Sequence, residues 1–287
     1  MNNKTLFRRL SAGIPGLWLI VFGLAPLLIM LAASFLARSE SSFITPAFSL
    51  EGYAKTFSPL FLTILLKSAY LAGGTTLLCL LAGYPFAYCV ARMPKAWRGP
   101  LLMLVIIPFW TNSLIRTYAL VFMLKSKGLL SQFLLWAGII EKPLSLMYTE
   151  AAVFIGMTYT LLPFMILPIY SSIEKMDNRL LEAARDLGAN RWQAFRRVTL
   201  PLSMPGVLAG SMMVFLPALG MFYIPDLLGG GKHLIVGNYI KNQFLTSRDW
   251  PAGAAASMAL TALMLCLLSV YRWTDRHRNG GKGGNGI

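Results

Sequence analysis

The chain has 287 residues, 56% hydrophobic and 13% charged, with 26 Lys and Arg against 11 Asp and Glu. A soluble domain carries roughly 25% charged residues, so the composition excludes an ordinary water-soluble enzyme and predicts a one-domain, all-α integral membrane protein. The net charge of +15 is assigned to basic residues flanking membrane spans, and no nucleic acid is expected as a partner.

A basic tail, residues 1–13, precedes a first apolar run at Ile14–Leu36. That run is too long for a signal-peptide core and lacks a small-residue cleavage site, so it is kept as a span. Five more spans follow, at about Phe61–Ala91, Pro100–Leu124, Ala151–Ile173, Gly206–Leu228 and Ala252–Tyr271. Each approaches or exceeds the ~20 residues that cross a ~30 Å hydrocarbon core, and the second is long enough to tilt or protrude. Between spans, Ser39–Leu60 is expected to hold a short surface helix and Leu129–Ile140 a re-entrant or interfacial one. A Gly229-Gly230-Gly231 run opens a third loop that ends near Trp250-Pro251, and residues 272–287 form a tail expected to be disordered. Outside the spans, sixteen Lys and Arg lie on the side of both termini and eight on the other. The bias places both termini, and the loop of about 174–205, in the cytoplasm. Cys79, Cys89 and Cys266 fall in apolar segments, and His233 and His277 have no partners at ligand spacing, so no metal site is expected.

The loop after the fourth span carries the most information. Asp177 or Asn178 is placed to cap a helix on which Leu180, Ala183, Ala184 and Leu187 recur at i, i+3, i+4 and i+7. Gly188 suits the left-handed residue that ends such a helix. Asn190 is placed to cap a second short helix that stops ahead of Pro201. Two alanines on an outward face let a partner's backbone approach closely, which makes Leu181, Glu182, Ala183, Ala184, Arg185, Asp186, Leu187, Gly188 and Ala189 a candidate docking element. A solvated amphipathic loop with no partner is the alternative. The chain holds no phosphate-cradling loop of its own: around Gly231-Lys232-His233, Asp226 and His233 stand where a Gly and a hydroxyl residue are needed. With no catalytic set of Ser, His and Asp or of Cys and His either, a non-catalytic chain powered by a partner is expected.

Glu182-Ala183-Ala184, Gly188, Val198, Leu200 and Pro201, spread over twenty positions between the fourth and fifth of six spans, are similar to the signature loop of type I ABC importer permeases. Val198 stands where that family more often has Ile. Pro108–Arg116, Leu162-Pro163-Phe164, Tyr170–Glu174 and Leu181–Ala189 further resemble the first permease subunit of spermidine/putrescine importers, in a likeness running from Phe22 to Tyr271. The resemblance implies a six-span type I ABC importer permease, multi-pass in the bacterial inner (plasma) membrane. It implies a coupling helix, Glu182–Gly188, seated in a cytoplasmic ATPase dimer, and a second homologous permease subunit. A periplasmic polyamine-binding protein and a polyamine substrate complete the set, with surrounding membrane lipid. ATP and magnesium would be used by the ATPase, and no cofactor is expected in this chain. Permeases for thiamine, iron or an anion share the same loop, and an ion-coupled secondary transporter or a membrane enzyme or scaffold is a more distant alternative.

Charges within a span cost roughly 2.5–3.5 kcal/mol at its centre, so polar residues there suggest an aqueous path. The third span carries Trp110, Asn112, Arg116 and Tyr118 after Pro108. Arg116 is expected to snorkel or to form an internal ion pair rather than to meet substrate. Glu150, Asp226 and Asp249 stand at outward ends of spans. A linear polycation is matched by carboxylates with aromatic faces beside them, and Trp110, Asn112, Tyr118, Glu150, Tyr159, Tyr223 and Asp226 are the candidate path residues. An interfacial aromatic belt is the alternative.

Overall fold

Backbone in a hydrocarbon layer must satisfy its own hydrogen bonds, and helices do so within one segment. The structure, a computed structural model, describes residues 13, 15–38, 44–177, 179–231 and 234–280. Six helical stretches among them are long and apolar enough to cross a membrane: Pro15–Ser34, Pro59–Arg92, Ser113–Trp136, Glu150–Glu174, Arg191–Gly220 and Trp250–Trp273. We label the helices α1 (Pro15–Ser34), α2 (Glu51–Thr56), α3 (Pro59–Arg92), α4 (Lys95–Ile106), α5 (Ser113–Leu124), α6 (Leu129–Trp136), α7 (Glu150–Glu174) and α8 (Arg179–Asp186). They continue with α9 (Arg191–Gly220), α10 (Tyr223–Gly229), α11 (Val236–Leu245) and α12 (Trp250–Gly280). A small antiparallel hairpin, β1 (Leu36–Ala37) and β2 (Thr45–Phe48), pairs Leu36 with Phe48.

The chain divides into two compact units. The first comprises residues 1–63 and 239–267. Its polar centre is Asp249, whose carboxylate accepts from the Ala252 amide at 3.2 Å and so starts α12. Lys55 Nζ lies 2.9 Å from the same carboxylate and 3.0 Å from Glu51, and Arg38 lies 3.9 Å away. The hydrogen bond to Asp249 is the largest influence raising the Lys55 pKa above its usual 10.5. Gly52 lets α2 meet α12 closely, since a Cβ there would stand 3.0 Å from the Pro251 carbonyl.

The second unit comprises residues 64–238 and 268–287. Its core is α7, where Met157, Leu161, Met165, Ile166 and Ile169 are all at most 1% exposed. Helix α9 packs along it at Gly206, where any side chain would collide with Pro168 and Ser172.

Four expectations are corrected. The third span is not one helix: α4 ends at Ile106, a 3₁₀ turn covers Ile107–Trp110, and Thr111 is extended before Asn112 caps α5. Pro108 has no N–H for the helical ladder and its ring crowds the carbonyl four residues back. The apolar stretch Ser113–Trp136 leaves the helix at Lys125 (ψ 153°), and a crossing there would hold Lys125 and Lys127 near mid-membrane, so α4 and α5 form the better third crossing. The second helix of the loop does not stop ahead of Pro201 but runs into the fifth span, because the π turn Phe195–Thr199 has already displaced the backbone pairing that proline would break. That span ends at Gly220 rather than Leu228, since Pro225 would crowd the Met221 carbonyl and Met221 turns extended (ψ 124°). Helix α12 continues to Gly280, past the expected end at Tyr271 and into the tail expected to be disordered.

Candidate functional site

Helix α8 begins with the Asp177 carboxylate accepting from the Arg179 amide at 2.9 Å; the other expected cap, Asn178, lies outside the described residues. Leu181, 5% exposed, is its anchor to the body of the unit. The opposite side is open: Leu180 is 48% and Leu187 88% exposed, with Ala183 exposed between them and Ala184 half-buried. Glu182, Arg185 and Asp186 are exposed around this strip. The end of α8 is fixed by backbone alone, with Gly188 at φ +81° and its amide on the Arg185 carbonyl at 2.8 Å. An L side chain at that φ is strained, which is why glycine stands there.

Two residues later Asn190 and Gln193 form a reciprocal cap, with bonds of 2.8 and 3.0 Å, that starts α9. A groove of about 440 Å³ runs between Ala184, Leu187 and Ala189 on one side and Gln193, Arg197 and Val198 on the other. The arrangement is a short helix, capped at both ends, with apolar side chains left exposed by the described residues. Trp192, 66% exposed, extends that surface and stacks on Phe195. Neither aromatic was part of the predicted set; their signal was the spacing of two large rings one helical turn apart in an otherwise basic segment.

The candidate path residues are more dispersed. Trp110, 77% exposed, ends the 3₁₀ turn. Asn112 has its side-chain oxygen committed to the Leu114 amide at 2.8 Å, so it acts as a helix cap first. Tyr118 and Tyr159 are 58% and 41% exposed, and Glu150 is exposed at the start of α7. Tyr223 and Asp226 lie in the first turn of α10, which packs on α7 and α5. Tyr118, Tyr159, Tyr223 and Asp226 thus come from three packed elements, while no ring contact joins Trp110, Tyr118 and Tyr159 among the described residues. Asp226 is half-buried and accepts from Asn238 Nδ2 at 2.8 Å. Asn238 is 2% exposed, and its Oδ1 finds no partner among the described residues. Sequence reasoning missed this amide, since a single Asn, here in the first turn of α11, carries no pattern.

Two further expectations change. Arg116 forms no ion pair with an acid among the described residues: its guanidinium lies 5.3 Å over the Phe109 ring, which meets Phe164 edge-on at 5.1 Å. Asp249, expected as an acid at the end of a span, stands just before α12 and is committed to Lys55, Arg38 and the α12 cap.

Residues 80–280 match the family model described as the binding-protein-dependent transport system inner membrane component. The spermidine/putrescine transport system permease protein PotB of Escherichia coli (strain K12) is 52% identical over 262 residues, covering 91% of this chain and 95% of that protein. The protein of the same name from Haemophilus influenzae is 52% identical over 271 residues, 94% of each chain. In fold, a crystal structure of a bacterial ABC transporter that imports the acidic polysaccharide alginate superposes with a TM-score of 0.74 at 20% identity, covering 96% of each chain.

Proposed function

Since the chain belongs to the family of binding-protein-dependent transport system inner membrane components, we propose that it is the permease subunit of an ATP-driven polyamine importer, forming half of the translocation path. The observation that carries the substrate class is identity of 52% along 91% of this chain to a spermidine/putrescine permease. The partners of this reading are a cytoplasmic ATPase dimer, a second homologous permease subunit and a periplasmic binding protein that delivers spermidine or putrescine. This subunit catalyses nothing; ATP and magnesium act in the ATPase.

The open strip of Leu180, Ala183 and Leu187 is the surface that seats in the ATPase. Its rigid ends suit it to transmit force: a clamped helix moves as a body, and closure of the ATPase dimer then rocks the spans between inward and outward access. Toward the solute, Asp226 and the Asn238 carbonyl, unpartnered among the described residues, offer a charge and an acceptor to an ammonium group. Tyr118, Tyr159, Tyr223, Trp110, Asn112 and Glu150 are the remaining polar and aromatic candidates.

The test is uptake by proteoliposomes holding this chain with its ATPase, sister permease and binding protein, offered labelled spermidine, putrescine, thiamine, ferric ion and sulfate. ATP-dependent accumulation of the two polyamines alone is the expected result. Accumulation of another solute in their place overturns the substrate class, and uptake without ATP overturns the importer.

A further inference from the structure

Between the docking element and the body of α9 lies the π turn Phe195–Thr199, closed by the Leu200 amide on the Phe195 carbonyl. The Phe195 ring meets Tyr84 and Tyr88 of α3 edge-on at 5.8 and 5.6 Å, and Trp192 stacks on it at 5.6 Å. Eight residues further along, the Ser203 hydroxyl shares a 2.8 Å hydrogen bond with the Tyr84 hydroxyl. Tyr84 therefore grips α9 on both sides of the π turn, by its ring at Phe195 and by its hydroxyl at Ser203.

On an uninterrupted α-helix of 3.6 residues per turn, positions eight apart lie about 80° apart around the axis. A π turn absorbs one extra residue, which reduces that angle to roughly 20° and brings both side chains to the α3 side. Without it Phe195 would swing roughly 100° away while Ser203 stayed in place. The π state also has an internal opponent. Thr199 is 0% exposed and its Oγ1 has no hydrogen-bond partner among the described residues. In an α-helix a threonine hydroxyl bonds the carbonyl four residues back; here that carbonyl belongs to Phe195, which the π turn directs to the Leu200 amide, and Oγ1 makes no bond to it. Ring contacts hold the turn in its π form, and a buried, unpaired hydroxyl favours the α form.

We propose that Phe195–Thr199 is a two-state joint through which movement of α8 reaches α3. In the π state the tyrosines hold Phe195, and α8 and α3 move together. In the α state Thr199 regains its acceptor, Phe195 leaves the tyrosines, and the first turn of α9 rotates with α8. Phe195 is a positioning residue: it touches no solute, and its role rests on the docking function proposed above for α8.

The experiment uses the complete importer in lipid nanodiscs and proteoliposomes. An Ala183→Cys crosslink to the ATPase reports docking, ATP hydrolysis and uptake report coupling, and hydrogen exchange over residues 196–200, with and without vanadate-trapped nucleotide, reports the turn. Phe195→Ala should assemble, keep the crosslink and hydrolyse ATP within about twofold of the parent, while solute taken up per ATP falls roughly tenfold, and Phe195→Tyr should restore it. Thr199→Val, which removes the opposing hydroxyl, should slow uptake and flatten the nucleotide-dependent exchange difference, whereas Thr199→Ser should leave both unchanged. Unchanged uptake per ATP in Phe195→Ala with the crosslink intact overturns the joint. Loss of the crosslink in that variant alone overturns it too, because Phe195 would then only shape the docking surface. A crosslink absent even with an intact Phe195 overturns the docking role itself.

Discussion

The Ala189 amide reaches back to the Ala184 carbonyl at 3.0 Å, folding the chain over Gly188 as α8 ends. Together with the Gly188 bond to Arg185 this closes both of the last free carbonyls of the helix that a glycine turn can reach. The space around Gly188 is open, and a Cβ at this position would meet nothing within 4 Å, so conformation alone decides what the position accepts.

Gly188→Val should therefore cost about 1–2 kcal/mol at the end of α8 by forcing a β-branched residue into left-handed backbone. Uptake should fall several-fold while the chain still assembles, and Gly188→Asn, which tolerates that conformation, should fall between the two. Equal uptake by all three would show that the end of α8 need not be rigid. ATP hydrolysis and uptake measured side by side are the check.

Leu187→Asp should leave the melting temperature of the isolated chain in detergent unchanged, because the Leu187 side chain is 88% exposed. Affinity for the ATPase should drop by tenfold or more, about 1.4 kcal/mol, as expected of an apolar anchor at the centre of an interface. A titration of labelled ATPase against nanodisc-held permease reads this directly, and a shifted melting temperature with intact affinity would be the opposite of the expected pattern.

For Asp226→Asn the expectation is normal assembly with a markedly raised KM for polyamine. The neutral side chain can still accept from Asn238, losing the charge-assisted part of a bond now 2.8 Å long. Initial uptake rates over a range of spermidine concentrations separate KM from kcat. A KM equal to that of the parent would take Asp226 out of the path.

The Lys55–Asp249 pair sets an alkaline limit on the first unit. Because its folded pKa is raised above 10.5, Lys55 contributes its full stabilisation below that value and loses it as pH rises through the raised one. Melting curves between pH 8 and 11 should show this decline, and Lys55→Met should flatten it. Asp249→Ala, which removes the α12 cap as well, should cost about 1–2 kcal/mol and lower Tm by roughly 2 °C or more at neutral pH.

Six spans and helix α8 with its glycine end were readable because each is written in composition or in short-range spacing: apolar blocks of crossing length, and Leu180, Ala183, Ala184 and Leu187 at helical intervals before Gly188. What was not readable depends on partners distant in sequence. Pro201 looked like a helix stop, and only the displaced pairing of Phe195–Thr199 lets α9 pass through it. Asn112 reads in the sequence as a polar path residue, and only the break at Thr111 shows that its side chain also caps α5. Asp249 and Asp226 looked alike as outward acids, yet one is held by Lys55 and Arg38 and the other by Asn238. Arg116 has no acidic partner among the described residues, and its companion is the face of Phe109.

A leucine as bare as Leu187 is also a timer on the newly made subunit. Under the docking role proposed for α8, a copy with no motor protein over Leu187 offers aqueous quality-control factors a greasy hook just outside the bilayer. Steady-state amounts of this subunit should therefore rise and fall with the supply of its motor, and surplus copies should be short-lived.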